Sequence, residues 1–406
     1  MGPRYGGASM RRRRRSPAIL LALLAPVLLI VGIWLGGHPS SLPGFARDNL
    51  VSETDGRVYE EAVDLIAADY YRKVDRDRLL NRSLESAVKS LDDQFSNYFS
   101  PTDYSSFQEA TQGQFEGVGM TVEQVKRGLR VLSVYKGSPA DRGGVKPGDV
   151  ITRVNSRSIA GSSSDESTTR IKGRAGTSVR LTLISGTKPR EVSLERAQVD
   201  IPAVDASMER MNGVKIAHVR LAGFTSGAHG ELGRAVRKLL GDGAKGVVLD
   251  LRDNGGGLLN EAVLVSSIFI PEGKIVSTRG RARPTQVYEA TGGAISANVP
   301  VAVLVNRQSA SASEIVTGAL QDRDRAQVVG TRTFGKGVFQ EVEQLSNGGA
   351  LDITVGEYFL PSGRNIGSGV KEGDGIAPDV RAQDDPKTKP DEALRVAVRT
   401  VAREAA

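Results

Sequence analysis

The chain has 406 residues, a formal net charge of +7 and no cysteine. That length allows two or three packed domains, and the missing cysteine excludes disulfides, thiol chemistry and cysteine-ligated zinc. Six of the positive charges are Arg4 and Arg11 to Arg15 and the remainder mixes both signs, which is a solvated surface rather than a nucleic-acid footprint.

In chain order, residues 1–16 form a basic N-terminus. Residues 17–37 carry no charge, a run long enough to span a bilayer. The arginines before it predict an N-terminus inside and the rest of the chain outside the cytoplasm, with Trp34 at the far interface. A cleaved signal peptide is the alternative, and it places the bulk of the chain on the same side. Residues 38–56, rich in Pro, Ser and Gly, read as a linker in which His38 has no role.

Over 57–112, Val58, Ala62, Leu65 and Ile66, then Leu80, Leu84, Ala87, Val88 and Leu91, recur at helical spacing and predict amphipathic helices. Residues 113–199 change to short β-like runs broken by glycine, including 129–134, 150–154 and 178–183, and predict a compact, mostly β module. From 200 to 381 strands and helices alternate: strands at 214–221, 246–251 and 301–305, helices near 230–240, 258–269 and 311–321. This is the texture of a βαβ core. Residues 382–406 are a polar stretch closed by a helix from Asp391.

Three segments carry chemistry. Ser311 lies in Ser309-Ala310-Ser311-Ala312-Ser313-Glu314, where a buried strand turns into a helix. Unpaired N–H groups and the positive helix end there would stabilise a developing oxyanion. The spacing to Glu314 equally fits an ordinary N-cap serine in a capping box.

Lys336 sits between glycines in Gly335-Lys336-Gly337. It completes a Gly-x-x-x-x-Gly-Lys pattern, but Gly337 replaces the Ser or Thr that a phosphate loop needs for magnesium. To act as a base Lys336 must be neutral, and at its ordinary pKa of about 10.4 less than about one part in a thousand is neutral at pH 7, so burial has to lower it. Gln340 is placed to orient the amine.

The third segment, Asp250-Leu251-Arg252-Asp253-Asn254-Gly255-Gly256-Gly257, reads as a strand, a glycine turn and a helix, with Gly256 as candidate oxyanion donor. No Gly-x-Ser-x-Gly elbow occurs. Ser86 and Lys89 match Ser-x-x-Lys by chance on a helix explained by packing. His218 reads as a core histidine of an apolar strand and His229 as a polar loop residue.

Together these segments resemble the C-terminal processing peptidases, or tail-specific proteases, over about residues 58–380. The resemblance also takes in residues 91–101, Pro361-Ser362-Gly363 and 375–379. It implies an α/β core of the crotonase and Clp-protease kind. In that family Ser311 stands at the nucleophile position, Lys336 is the general base and Gln340 its orienting partner. N–H groups near Gly256 and Ala312 would hold the oxyanion.

The β module resembles a PDZ domain, with Gly117, Val118, Gly119 and Met120 where such domains receive a peptide's terminal carboxylate, and with matching segments at 138–140 and 144–149. A peptide tail would add there as a strand. The expectation is a membrane-anchored serine endopeptidase acting on protein C-termini or unfolded tails, with no metal or organic cofactor, no nucleic-acid partner and an unidentified regulator left open. The alternatives are an inactive peptide-binding scaffold and a crotonase-type acyl-CoA enzyme.

Overall fold

Val247–Asp250 and Val301–Val305 are buried at every position, as parallel strands covered on both faces must be. In the computed structural model, which describes Gly2 and residues 54–406 apart from 187, 386 and 389, they form the centre of a six-stranded sheet. Its order is Val204–Met211, Val214–Leu221, Val247–Asp250, Val301–Val305, Gln327–Gly330 and Val380–Arg381. The first pair is antiparallel and every later pair parallel.

Helices Ala228–Gly241, Leu259–Ser267 and Ala312–Asp322 pack into a common core that includes Phe224, Leu232, Val265, Val303, Val316 and Leu320, and the third helix is buried at every position from Ala312 to Leu320. The closing helix Glu392–Glu404 covers a second cluster, where Ala397, Val398 and Val401 meet Ile216, Val248 and Leu304. A second sheet joins Asn97–Phe99, Ala350–Phe359, Lys274–Arg279 and Gln286–Glu289, with Val338–Gln344 also paired to Ala350–Phe359.

The β module enters and leaves through one antiparallel pair, Gln114–Gly117 against Ala197–Asp200, with Phe115 opposite Val199. Beyond that pair it has its own six-stranded sheet and its own core, built from Leu129, Val131, Ile151, Val179, Leu181 and Leu183. Separate cores joined by a two-strand stalk make it an insertion.

The described residues up to Ser83 belong to one compact unit and Leu84–Ala406 to another. In the first, the helix Thr54–Asp69 leaves Val58, Leu65 and Ile66 exposed, and Val63 is the buried position. The stripe expected to pack is therefore open to solvent. The expected anchor at 17–37 lies outside the described residues, and among those described no helix is long and apolar enough to cross a membrane.

Candidate active site

Ser311 follows the strand Val301–Val305 and stands at the entrance of the helix Ala312–Asp322 with φ 56° and ψ −114°. A side chain held at such a φ is strained by about 1–3 kcal/mol and persists only where its surroundings over-determine it. Here they do. Ser309 Oγ donates to Leu251 O at 2.8 Å, Ser313 Oγ to Asn254 O at 2.8 Å, and Ala310 N to Asn254 O at 3.1 Å. The serines on either side are thus spent on holding the turn, and Ser311 faces a cavity of about 510 Å³.

Lys336 lines the same cavity, as do Gln340, Asp352 and the glycine turn Gly255 to Gly257. It precedes the strand Val338–Gln344, and its Nζ donates to Gln340 Oε1 at 2.6 Å and lies 5.0 Å from the centre of the Phe95 ring. Burial lowers the Lys336 pKa, against the upward pull of Asp352, Asp93 and Glu314. Among the described residues no hydrogen bond joins Ser311 Oγ to Lys336 Nζ. A larger cavity, about 860 Å³ and lined by Asn298, Arg323 and Glu404, contains neither residue.

One carboxylate fastens the two segments together. Glu314 is fully buried and accepts from Thr333 Oγ1 at 2.6 Å, Gly335 N at 2.7 Å, Lys336 N at 3.0 Å and Ser311 N at 2.9 Å. Burial raises its pKa while these four donors oppose the rise. Read from sequence, Glu314 is a capping residue; in the fold it also anchors the lysine loop, a role whose partners lie 19 to 22 residues further on.

The glycine turn departs in detail from expectation. Gly256, at φ 107°, packs so closely that a Cβ there would lie 2.9 Å from Ser311 Cβ and from Ala310 O, so the close backbone approach is real. Its N–H, however, donates to Asn254 Oδ1 at 2.9 Å, because the buried Asn254 side chain closes its own turn two residues on. The N–H groups of Gly257 and Ala312 have no such partner among the described residues, and both residues line the cavity.

Behind the turn Asp250 accepts from Arg252 Nη2 at 2.7 Å and lies 3.1 Å from His218 Nε2. Arg252 also reaches Asp391 and Asp384. His218 is therefore half-buried against a carboxylate, and His229 lies in the first turn of the helix Ala228–Gly241, with Nδ1 2.9 Å from Glu261 Oε2, not on a loop. Among the described residues no cluster suits a metal ion.

In the inserted module Val118, Gly119 and Met120 line a small cavity of about 50 Å³ with Ile171 and Lys172. Gly119 has φ 81°, and a Cβ there would lie 2.2 Å from Ser138 Cβ. Gly117 belongs to the entering strand and sits against the Phe115 ring.

Residues 215–382 match Peptidase family S41 and residues 117–195 match the PDZ domain. The chain is 36% identical over 362 residues to a "Probable CtpA-like serine protease" of Staphylococcus aureus strain COL, covering 89% of this chain and 70% of that one. It is 37% identical to the protein so described from strain N315, covering 79% of this chain and 63% of that one.

The chain belongs to peptidase family S41. Among solved structures, the photosystem II D1 C-terminal processing protease is similar at 28% identity with a TM-score of 0.50, covering 87% of this chain and all of that one. The chain is accordingly a CtpA-like serine peptidase with a mixed α/β core and an inserted PDZ domain. Membership of a peptidase family removes the acyl-CoA alternative.

Proposed function

We propose that this S41 peptidase cleaves protein C-termini or unfolded tails, with Ser311 as nucleophile, Lys336 as its base and Gln340 holding the lysine. The observation that carries the reading is the pairing, on one cavity, of a strained serine at a helix entrance with a lysine whose pKa burial has lowered. Neutral Lys336 takes the Ser311 proton, Ser311 attacks the scissile carbonyl, and the oxyanion forms beside the N–H groups of Ala312 and Gly257. Lys336 then returns the proton to the leaving amine, and water hydrolyses the acyl-enzyme. Proton transfer requires Nζ to come within about 3 Å of Oγ, so the lysine turns from Gln340 toward the serine, or shares a proton with each, when substrate is bound.

The PDZ domain offers the tail a strand edge at Met120–Val125 beside the helix Ser164–Ile171, the arrangement by which an extended peptide adds to a sheet. The uncharged run 17–37 behind a cluster of arginines supports an anchored chain with its catalytic part outside the cytoplasm.

The test is cleavage of β-casein, an unfolded protein, by the purified full chain between pH 6 and 10. The rate should rise with pH as Lys336 loses its proton, and Ser311→Ala and Lys336→Ala should each fall by about a thousandfold or more. Near-full turnover by Lys336→Ala would remove the lysine from the mechanism.

A further inference from the structure

The amine of Lys336 has a neighbour that the proton transfers above do not use. Its Nζ lies over the Phe95 ring, 5.0 Å from the ring centre, inside the distance of about 6 Å at which a ring attracts a cation. Both the backbone and the ring of Phe95 are held in place. Phe95 N donates to Asp93 Oδ1 at 2.8 Å, Ser96 Oγ donates to Asp93 Oδ2 at 2.6 Å, and Thr354 N donates to Ser96 Oγ at 2.9 Å. The ring meets Phe334 edge to face, with centres 6.4 Å apart and planes at 70°. Pairing of Asn97–Phe99 with Ala350–Phe359 brings this turn to the lysine.

Neutral and protonated lysine do not use such a ring alike, because its quadrupole attracts a full positive charge much more than it attracts an uncharged amine. Taking the Ser311 proton turns Nζ into an ammonium, and in a site with little water that cation needs a partner. A carboxylate in contact would hold the proton beforehand and leave no base. An aromatic face binds the cation more weakly, so the resting amine can lose its proton and the ammonium formed in the transition state is still received. Among the described residues no carboxylate pairs directly with Nζ. Asp352 on the strand Ala350–Phe359, Asp93 on the turn and Glu314 on the helix Ala312–Asp322 act on it through space. Tyr358, also on the cavity wall, gives its hydroxyl to the Lys336 backbone oxygen and not to the amine.

We propose that Phe95 is a catalytic residue of the peptidase reaction, its ring face stabilising the ammonium that Lys336 becomes on taking the Ser311 proton. The proposal rests on the Ser311 and Lys336 reading above. The proton passes from Ser311 Oγ to the Nζ lone pair as Oγ bonds to the scissile carbon, and it leaves the ammonium for the departing nitrogen as the peptide bond breaks. The ring holds the charge between these two transfers and exchanges no atom itself. Phe95 lies outside residues 215–382, the part matched to family S41, so a segment ahead of the PDZ insertion completes the catalytic centre.

The experiment measures kcat and KM of the full chain on β-casein from pH 6 to 10 for wild type, Phe95→Leu, Phe95→Met and Phe95→Tyr. Leucine and methionine keep an apolar cover of similar volume, together with the backbone N–H that Asp93 accepts, but they present no ring. The protonated amine then loses its partner, and the rising limb of kcat should move to lower pH by about half a unit to one unit. The alkaline plateau should fall by about threefold, because a weaker base takes the serine proton less readily. KM should change little. Loss of folded protein lowers the plateau but does not move the limb. Phe95→Tyr keeps an aromatic face and should keep the wild-type limb and plateau.

A limb that stays in place in both Phe95→Leu and Phe95→Met would reduce the ring to a cover against water and overturn the proposal. A limb displaced upward would mean that water entered with loss of the ring, and would overturn it as well. An unchanged plateau would show that the ring does nothing for the ammonium in the transition state, and equal changes in the tyrosine and leucine variants would trace the effect to packing; either result overturns the proposal. The underlying reading fails separately, through activity in Ser311→Ala or Lys336→Ala.

Discussion

Two half-buried cations in this peptidase have opposite fates. Arg252, whose side chain is 15% exposed, is held by Asp250, Asp391 and Asp384 at 2.7–3.0 Å. Burial would lower its pKa, yet the hydrogen bonds and charges of Asp250 and Asp391 raise it. Among the described residues the Lys336 amine meets the neutral Gln340 amide and an aromatic face, with no carboxylate in direct contact. Its nearest carboxylates act through space and lose to burial. Direct contact with a carboxylate, rather than depth, separates the cation that holds the fold from the one that can become a base.

The largest effect should come from breaking this distinction at the lysine. Lys336→Arg keeps a long cation but installs a group that cannot be deprotonated in a protein. Turnover of β-casein should fall by about a thousandfold or more at every pH from 6 to 10, while the unfolding midpoint stays close to wild type. Measurable rescue at high pH would mean that loss of a proton at this position is not what the reaction needs.

The second effect is on stability. Arg252→Met leaves Asp250, which has no exposed surface, with His218 as its remaining side-chain partner. Removing one member of a buried ion pair costs about 3–5 kcal/mol, and urea unfolding should show a loss of that size. The pH dependence has a definite sign. Asp250 has its pKa lowered from 3.8 to about 2, with hydrogen bonds from His218 and Arg252 overcoming burial. Its contribution of about 2 kcal/mol is present above the ordinary carboxylate pKa and is lost as pH falls through about 2. In Arg252→Met acid unfolding should begin at a higher pH, and an unmoved acid limb would show that His218 alone sustains Asp250.

How much of this contrast was legible in the chain depends on range. Val301–Val305 was readable because a doubly covered parallel strand is an unbroken apolar run, and the helix after it because small residues and Glu314 follow at cap spacing. Asp391 likewise marks the start of the last helix, where its side chain accepts from Leu394 N at 2.8 Å. The second function of Glu314 was not legible. Three of its four donors come from a loop whose distance from the helix only the packed sheet determines.

The same holds for Arg252, whose partners Asp384 and Asp391 lie 132 and 139 residues away. It holds again for the Gly256 N–H, where the sequence shows a flexible turn but not that Asn254 captures the donor. The apolar stripe with Val58, Leu65 and Ile66 shows the converse error. Periodicity identifies a face, but it does not say whether anything within the same chain covers it.

The smallest predicted effect concerns the through-space charges on Lys336. Asp352 shares the cavity with the lysine and has its pKa raised to about 6, chiefly by burial, with Asp93 adding to the rise and Lys336 and Asn97 opposing it. Stability linked to Asp352 is therefore complete below the ordinary carboxylate pKa and is lost as pH rises through about 6. Above that pH its negative charge favours protonated Lys336 and so holds the lysine pKa up. Asp352→Asn removes that pull and leaves Asp93 and Glu314 as the charges facing the amine. The rising limb of kcat/KM should move to lower pH, with the alkaline plateau unchanged. The variant should also gain stability over wild type at pH 8 relative to pH 5, since it has no buried carboxyl to ionise. A limb that stays in place would mean that burial, Asp93 and Glu314 set the base strength of Lys336 without Asp352. A limb displaced upward would mean that Asp352 acts on substrate entering the cavity rather than on the lysine.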